Sequence, residues 1–185
     1  SDALKAQSLL KDRTIQIIFS GRAHPLDDTG KGIVEKLHAK SIEYPESVVF
    51  PQNYDMEIGA RLTRGAGVWL NNPRRPKEAS GTSGMKAAMN GVLNLSVLDG
   101  WWPEACEHGE NGWQFGDAFS SEATDEHDSH DLEALYRCLN EEVIPTYYND
   151  RSRWISMMRR SIESTTTQFG AKRMLDEYYE LMYSK

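Results

Sequence analysis

Residues 67–98, GVWLNNPRRPKEASGTSGMKAAMNGVLNLSVL, hold an apolar run, a polar loop, a short helical pattern and a second apolar run, in that order. Gly67-Val68-Trp69-Leu70 is short, apolar and bounded by turn residues, the pattern of a buried strand. The segment 71–84 carries Pro73, Pro76, Gly81 and Gly84 among short polar side chains, which predicts a shaped loop. Beyond it Met85, Ala88 and Met89 mark one face of a short helix that Asn90-Gly91 ends, and residues 92–98 read as another strand. A strand, a crossover helix and a second strand within about thirty residues form the unit from which parallel sheets are built.

The pattern extends on both sides. Leu4, Leu9 and Leu10 read as the end of a helix, and residues 14–19, dense in β-branched side chains, read as a buried strand. A helix follows over 30–42, with Ile33, Val34 and Leu37 inward and Thr29 as its cap. Residues 48–50 are a strand and 56–63 a helix with Ile58 and Leu62 inward. Residues 103–128 contain no Lys or Arg, and their later part with the next residue, 119–129, reads as a mobile surface loop. Leu132, Leu135, Tyr136, Leu139 and Val143 then lie at helical spacing until Pro145 stops them. Trp154, Met157, Met158 and Ile162 mark a second such helix, and Met174, Leu175, Tyr178 and Met182 a last one after Gly170. The expected fold is α/β: a Rossmann-like, doubly wound parallel sheet over residues 1–128, with a helical extension over 129–185 packed on it.

Composition narrows the function. The 185 residues are 39% apolar with five Trp, enough for a core that buries roughly 70% of the unfolded surface. With 21 basic against 28 acidic side chains the net charge is -7, which repels a polyanion and disfavours nucleic acid as a partner. No apolar run reaches membrane-spanning length. The two cysteines, Cys106 and Cys138, are too few for a disulfide framework, and neither they nor the five histidines show metal-ligand spacing. These features predict a cytoplasmic protein without a metal.

In an open α/β sheet, ligands bind at the carboxyl ends of strands, in the loops that lead into helices. The loop 71–84 is the richest of these. Backbone N–H groups of Gly-Thr-Ser-Gly at 81–84 and the Thr82 and Ser83 hydroxyls converge where a helix N-terminus favours negative charge, as a phosphate site requires. Arg74, Arg75, Lys77 and Lys86 face only Glu78 in this segment, a local excess of +3 that would draw anions; alternatively Arg74 and Arg75 are solvated loop charges. Lys86 is expected in the first turn of the helix, where the dipole disfavours a cation and a neutral amine gains the lone pair that attacks an aldehyde. The competing reading is an exposed helix lysine. Glu78 can accept sugar hydroxyls or pair with Lys77 or Arg75. Trp101, Trp102 and Trp113 can stack on a sugar or fill the core.

The string Glu78-Ala79-Ser80-Gly81-Thr82-Ser83-Gly84-Met85-Lys86 with Asn90-Gly91 closely resembles the pyridoxal-phosphate segment of the glycogen and α-glucan phosphorylases, and the bacterial branch in particular. The similarity continues through Ser20-Gly21-Arg22-Ala23-His24-Pro25, Asn53-Tyr54-Asp55-Met56, Trp69 to Pro76, Leu98-Asp99-Gly100-Trp101-Trp102 and Asn111-Gly112-Trp113, covering about residues 14–117 in order. The resemblance implies the C-terminal, Rossmann-like half of a GT-B glycosyltransferase fold. It also implies reversible phosphorolysis of an α-1,4-glucan by inorganic phosphate to glucose 1-phosphate.

Lys86 is implied to carry pyridoxal 5′-phosphate through its amine, with Thr82, Ser83 and Gly84 at the cofactor phosphate and Tyr54 nearby. Glu78, Ala79, Ser80 and Gly81 are implied to bind the glucosyl unit. Two departures stand out: Ser83 replaces a glycine of animal members, and Asp55 stands where those members have an arginine near the phosphates. The second change removes a cation, for which Arg22, Arg74 or Arg75 would have to substitute. The family's basic segment at the substrate phosphate and an N-terminal domain would both precede residue 1. The expectation is therefore a fragment inactive on its own, with strand faces left uncovered that make an apolar patch and favour a homo-oligomer. Two alternatives are a nucleotide-sugar glycosyltransferase of the same fold, in which Lys86 forms no imine, and a non-catalytic glucan-binding module.

Overall fold

The computed structural model describes residues 8–12, 14–117, 119 and 123–184. The chain divides into two compact units, Ser1–Gly59 and Ala60–Lys185. In the first, β1 (Ile17–Ile18) pairs in parallel with β2 (Val48–Val49), Ile17 opposite Val48. The helix α1 (Asp28–Glu43) connects them, its N-terminus capped by Asp27, whose Oδ1 accepts the Gly30 N–H at 2.8 Å. Such a cap contributes about 1 kcal/mol. α2 (Met56–Gly65) spans the junction in sequence between the units.

The second unit is built on a three-stranded parallel sheet in the order β3 (Val68–Asn71), β4 (Leu93–Val97), β5 (Gly112–Phe115). Every residue of central strand β4 is buried, as expected for a parallel strand covered on both faces. Its alternation separates two environments. Leu93, Leu95 and Val97 join Trp113, Phe115, Cys138, Val143, Trp154 and Met157 in the main core, whereas Asn94 turns towards the helix that follows β3. That helix, α3 (Thr82–Met89), is the crossover from β3 to β4, and α4 (Trp102–Ala105) lies between β4 and β5. A second cluster gathers Ala88, Trp101, Trp102 and Ala105.

The remaining helices are α5 (Thr124–Cys138), α6 (Ile144–Asn149), α7 (Arg151–Thr166) and α8 (Ala171–Tyr178). A π-turn over Leu139–Val143 joins α5 to α6, and another, Tyr179–Tyr183, follows α8. α7 lies along α3: Ser161 Oγ donates to the Ala88 carbonyl at 3.4 Å, and Gly91 sits against Ile162 and Met158.

Several expectations are corrected. Residues 124–129, read as a mobile loop, are the first turns of α5, because Asp125 and Glu126 suit a helix N-terminus and His127 is buried. Pro145 does not stop the helix; it occupies the first turn of α6, where a missing N–H costs nothing, and the π-turn before it carries the chain through. The first strand is only two residues long with Ile18 exposed, α1 is capped by Asp27 rather than Thr29, and Ile33 is 53% exposed. The boundary expected at 128/129 falls inside α5. Of the first expected helix, residues 4–7 lie outside the described residues, while 8–11 are helical. Among the described residues, no helix is long and apolar enough to cross a membrane.

Candidate functional site

The loop between β3 and α3 leaves the sheet at Asn71 and re-enters regular structure at Thr82. Gly81, immediately before the helix, is left-handed at φ +86°, a conformation that favours glycine. Among the described residues no side chain caps α3, and although the Gly84 N–H turns back to the Gly81 carbonyl at 3.1 Å, the Thr82 and Ser83 N–H groups at the helix start suit an anion. Thr82 and Ser83 are exposed there. Lys86 is also exposed, four residues beyond Thr82 and three beyond Ser83, so all three share one helix face.

Lys86 nevertheless lies in the last turn of this eight-residue helix, not the first. The macrodipole favours a cation there, so the dipole argument for a neutral amine does not hold. What the structure offers instead is isolation: no carboxylate engages the Lys86 amine among the described residues. The nearest ordering contact is at its backbone, where Asn90 Nδ2 donates to the Lys86 carbonyl at 2.7 Å.

Beneath the helix start lies a polar floor. Asn94, wholly buried on β4, accepts from Asn71 Nδ2 at 3.0 Å and donates to the Gly84 carbonyl at 3.1 Å. Gly84 is buried, and a Cβ on it would lie 2.8 Å from Asn94 Oδ1, 3.0 Å from Trp101 Nε1 and 3.2 Å from Asn71 Nδ2. The segment before the helix is held from the other side: Asp99 Oδ2 accepts the Glu78 N–H at 2.9 Å, and the Trp101 N–H donates to the Ser80 carbonyl at 2.9 Å. Glu78 and Ala79 are exposed and Ser80 half-buried. The Glu78 carboxylate makes no ion pair with Lys77 or Arg75 among the described residues.

Arg74 and Arg75 do not form a free basic mouth. Arg74 makes a two-pronged contact with Asp128, Nε to Oδ1 at 2.9 Å and Nη2 to Oδ2 at 2.6 Å. Arg75 reaches Asp131 at 2.7 Å, His127 at 3.0 Å and the Asp117 carbonyl. Its side chain is 11% exposed. Both guanidiniums thus tie the loop to α5, and the local excess of cations is offset. The reading of 119–129 as a loop concealed these partners. Trp101, Trp102 and Trp113 are 5%, 1% and 0% exposed, so they are core residues rather than sugar-stacking surfaces.

Tyr54 and Arg22 belong to the first unit and are exposed there; the Tyr54 hydroxyl lies 2.7 Å from where a Gly59 Cβ would be. Sequence reasoning missed Asn71, Asn94 and Asp99. A polar Asn in the middle of an apolar strand was the available signal for Asn94. Both cysteines are free, and burial pushes the Cys106 and Cys138 thiols up to about 12.

Comparison with known proteins gives the family. The chain is 49% identical to a maltodextrin phosphorylase of Thermococcus litoralis over 94% of its length, 45% identical to a glycogen phosphorylase of Aquifex aeolicus over 100%, and 41% identical to a glycogen phosphorylase of Mycobacterium tuberculosis over 99%. It spans 21%, 28% and 22% of those proteins, respectively. Among solved structures, Anabaena Alr3699/HepE in complex with UDP superposes with a TM-score of 0.64 at 14% identity, covering 97% of this chain and 45% of that one. That likeness shows the fold, an α/β lobe of the GT-B glycosyltransferase kind. The carbohydrate phosphorylase family model matches residues 2–137, a region that contains the whole β3–α3–β4 unit and its loop. This chain belongs to the carbohydrate phosphorylase family.

Proposed function

We propose that the chain is the cofactor-bearing lobe of an α-glucan phosphorylase, which cleaves α-1,4-glucan ends with inorganic phosphate to give glucose 1-phosphate, and that pyridoxal 5′-phosphate is attached through Lys86. The observation that carries this reading is the single exposed face of α3 bearing Thr82, Ser83 and Lys86. The aldehyde and the phosphomethyl group of pyridoxal phosphate sit on neighbouring ring carbons. A protein that holds both therefore needs an amine and an anion site about one helical turn apart, which is the spacing of residues three and four apart on a helix. The uncapped helix start and the two hydroxyls suit the phosphate, and the accessible, unpaired Lys86 amine suits the aldehyde. The residues present fit the group.

When bound, the cofactor supplies a phosphate that exchanges a proton with the substrate phosphate. The chain's own contribution is positional. The hydroxyls and N–H groups of Thr82 and Ser83 hold an anion, Gly84 lets α3 sit directly on Asn94, and Lys86 anchors from one turn further on. Glu78, Ser80 and the Gly81 backbone are proposed to hold glucosyl hydroxyls. With the loop cations Arg74 and Arg75 paired to α5, this lobe offers little charge for a substrate phosphate. The 185 residues alone are therefore expected to produce no glucose 1-phosphate from maltodextrin and phosphate.

The test uses the full-length protein: incubation with pyridoxal phosphate, borohydride trapping and peptide mapping by mass spectrometry. A single label at Lys86 is expected. Labelling scattered over surface lysines, or none, overturns the proposal and favours a nucleotide-sugar transferase.

A further inference from the structure

Three consecutive residues after β4 touch, in order, the residues proposed to hold the sugar. Asp99 Oδ2 accepts the Glu78 N–H and its Oδ1 accepts the Gly100 N–H, each at 2.9 Å. Gly100 is left-handed at φ +58°, and a Cβ there would lie 2.5 Å from the Ser80 carbonyl oxygen and 2.9 Å from Glu78 Cγ. The Trp101 N–H donates to that same Ser80 carbonyl, and its indole Cδ1 lies 3.3 Å from where a Gly81 Cβ would be.

One carboxylate thus spans two N–H groups on two separate loops, and a glycine allows them to meet without a side chain between them. The Glu78 N–H and the Ser80 carbonyl are both occupied on this inner side, which turns the Glu78 carboxylate, the Ser80 hydroxyl and the Gly81 backbone to the ligand in the proposed reading. The Asp99 side-chain hydrogen bonds go to Glu78 and Gly100, and the atoms nearest a Cβ on Gly100 belong to Ser80 and Glu78, on the sugar side of the run rather than at Thr82, Ser83 or Lys86.

We infer that the turn Asp99-Gly100-Trp101 is the template that shapes the glucosyl-binding segment, with Asp99 a positioning residue that acts on sugar recognition and not on cofactor retention. This rests on the proposed phosphorylase reading of Glu78, Ser80 and Gly81. A carboxylate has two acceptor oxygens, whereas an amide has one. The substitution Asp99→Asn therefore keeps the shape of the side chain but must release either Glu78 or Gly100.

In the full-length protein, D99N is expected to raise KM for glucose 1-phosphate roughly tenfold, the scale of one lost charge-assisted hydrogen bond. KM for inorganic phosphate and the cofactor absorbance should stay within about twofold of the parent. Discrimination between glucose 1-phosphate and its deoxy analogues should fall in step, because a displaced segment no longer reads the hydroxyls. Asp99→Ser, which keeps one acceptor oxygen, is measured alongside, so that if D99N fails to fold the second variant decides. An unchanged KM for the sugar phosphate, or equal losses for both substrates with loss of cofactor, overturns the inference while the parent enzyme remains a phosphorylase. A parent protein that forms no glucose 1-phosphate at all overturns the phosphorylase reading and this inference with it.

Discussion

At Gly84 a single hydrogen atom stands where any other residue would place carbon among three polar side-chain atoms. Asn94 and Asn71 are bonded to each other and Asn94 also to the Gly84 carbonyl, so they have no slack to give. Gly84→Ala is expected to destabilise the fold by about 1–3 kcal/mol, as overpacking does, and to lower the content of the proposed cofactor. Urea unfolding and absorbance of the purified full-length protein check both. The position of Lys86 was legible from its string, but not the turn it occupies, because helix length depends on where Gly81 departs from the helix and no local propensity states that. The buried Cys138 thiol, pushed up to about 12 by desolvation first and nearby carboxylates second, holds little thiolate at pH 8. Iodoacetamide should label it far more slowly in the native protein than after denaturation, and equal rates would contradict the placement.

α5 shows how an element can be read wrongly from its own residues. Its first turns are acidic and apolar-poor, which reads as a loop until Arg74 and Arg75, more than fifty positions away, are seen to face them. The two arginines differ in depth. Arg75 and Asp131 are 11% and 15% exposed, so Arg75→Ala leaves a largely buried carboxylate with, among the described residues, only the His127 and His130 rings beside it, at 3.4 and 3.5 Å, and is expected to cost about 2–4 kcal/mol. Arg74 and Asp128 are exposed, and Arg74→Ala should shift a urea midpoint only slightly. The Arg74 guanidinium, by hydrogen bonding, holds the Asp128 carboxyl below the usual carboxylate range. Whatever this pair contributes is present above the ordinary carboxylate range and is lost as pH falls through the lowered value. The difference between parent and Arg74→Ala midpoints should therefore vanish in acid. At α7 the Asp150 side chain caps the Arg153 N–H at 2.9 Å, and Asp150→Ala should cost about 1 kcal/mol.

Over the whole molecule, the β–α–β logic of residues 67–98 was legible because apolar strands and a glycine-bounded helix are local patterns. So were α7 and α8, from their apolar spacing; the start of α5 and the passage of the chain through Pro145 were not, since long-range ion pairs and π-turns have no short signal. The last helix illustrates the remaining difficulty: Met174, Leu175, Tyr178, Leu181 and Met182 lie at helical spacing as a core face would, yet are 45%, 50%, 49%, 77% and 62% exposed. The isolated chain is expected to self-associate through this face. Sedimentation should show concentration-dependent mass that Leu175→Glu reduces, and a monomer at all concentrations would refute the expectation. The proposed sugar contacts and the proposed anchor lie on one unbroken run from Glu78 to Lys86, partly loop and partly helix. An insertion of one residue after Thr82 would swing everything beyond it by about 100° around the axis. Nature can thus vary what this run says far more readily than how many letters it uses to say it.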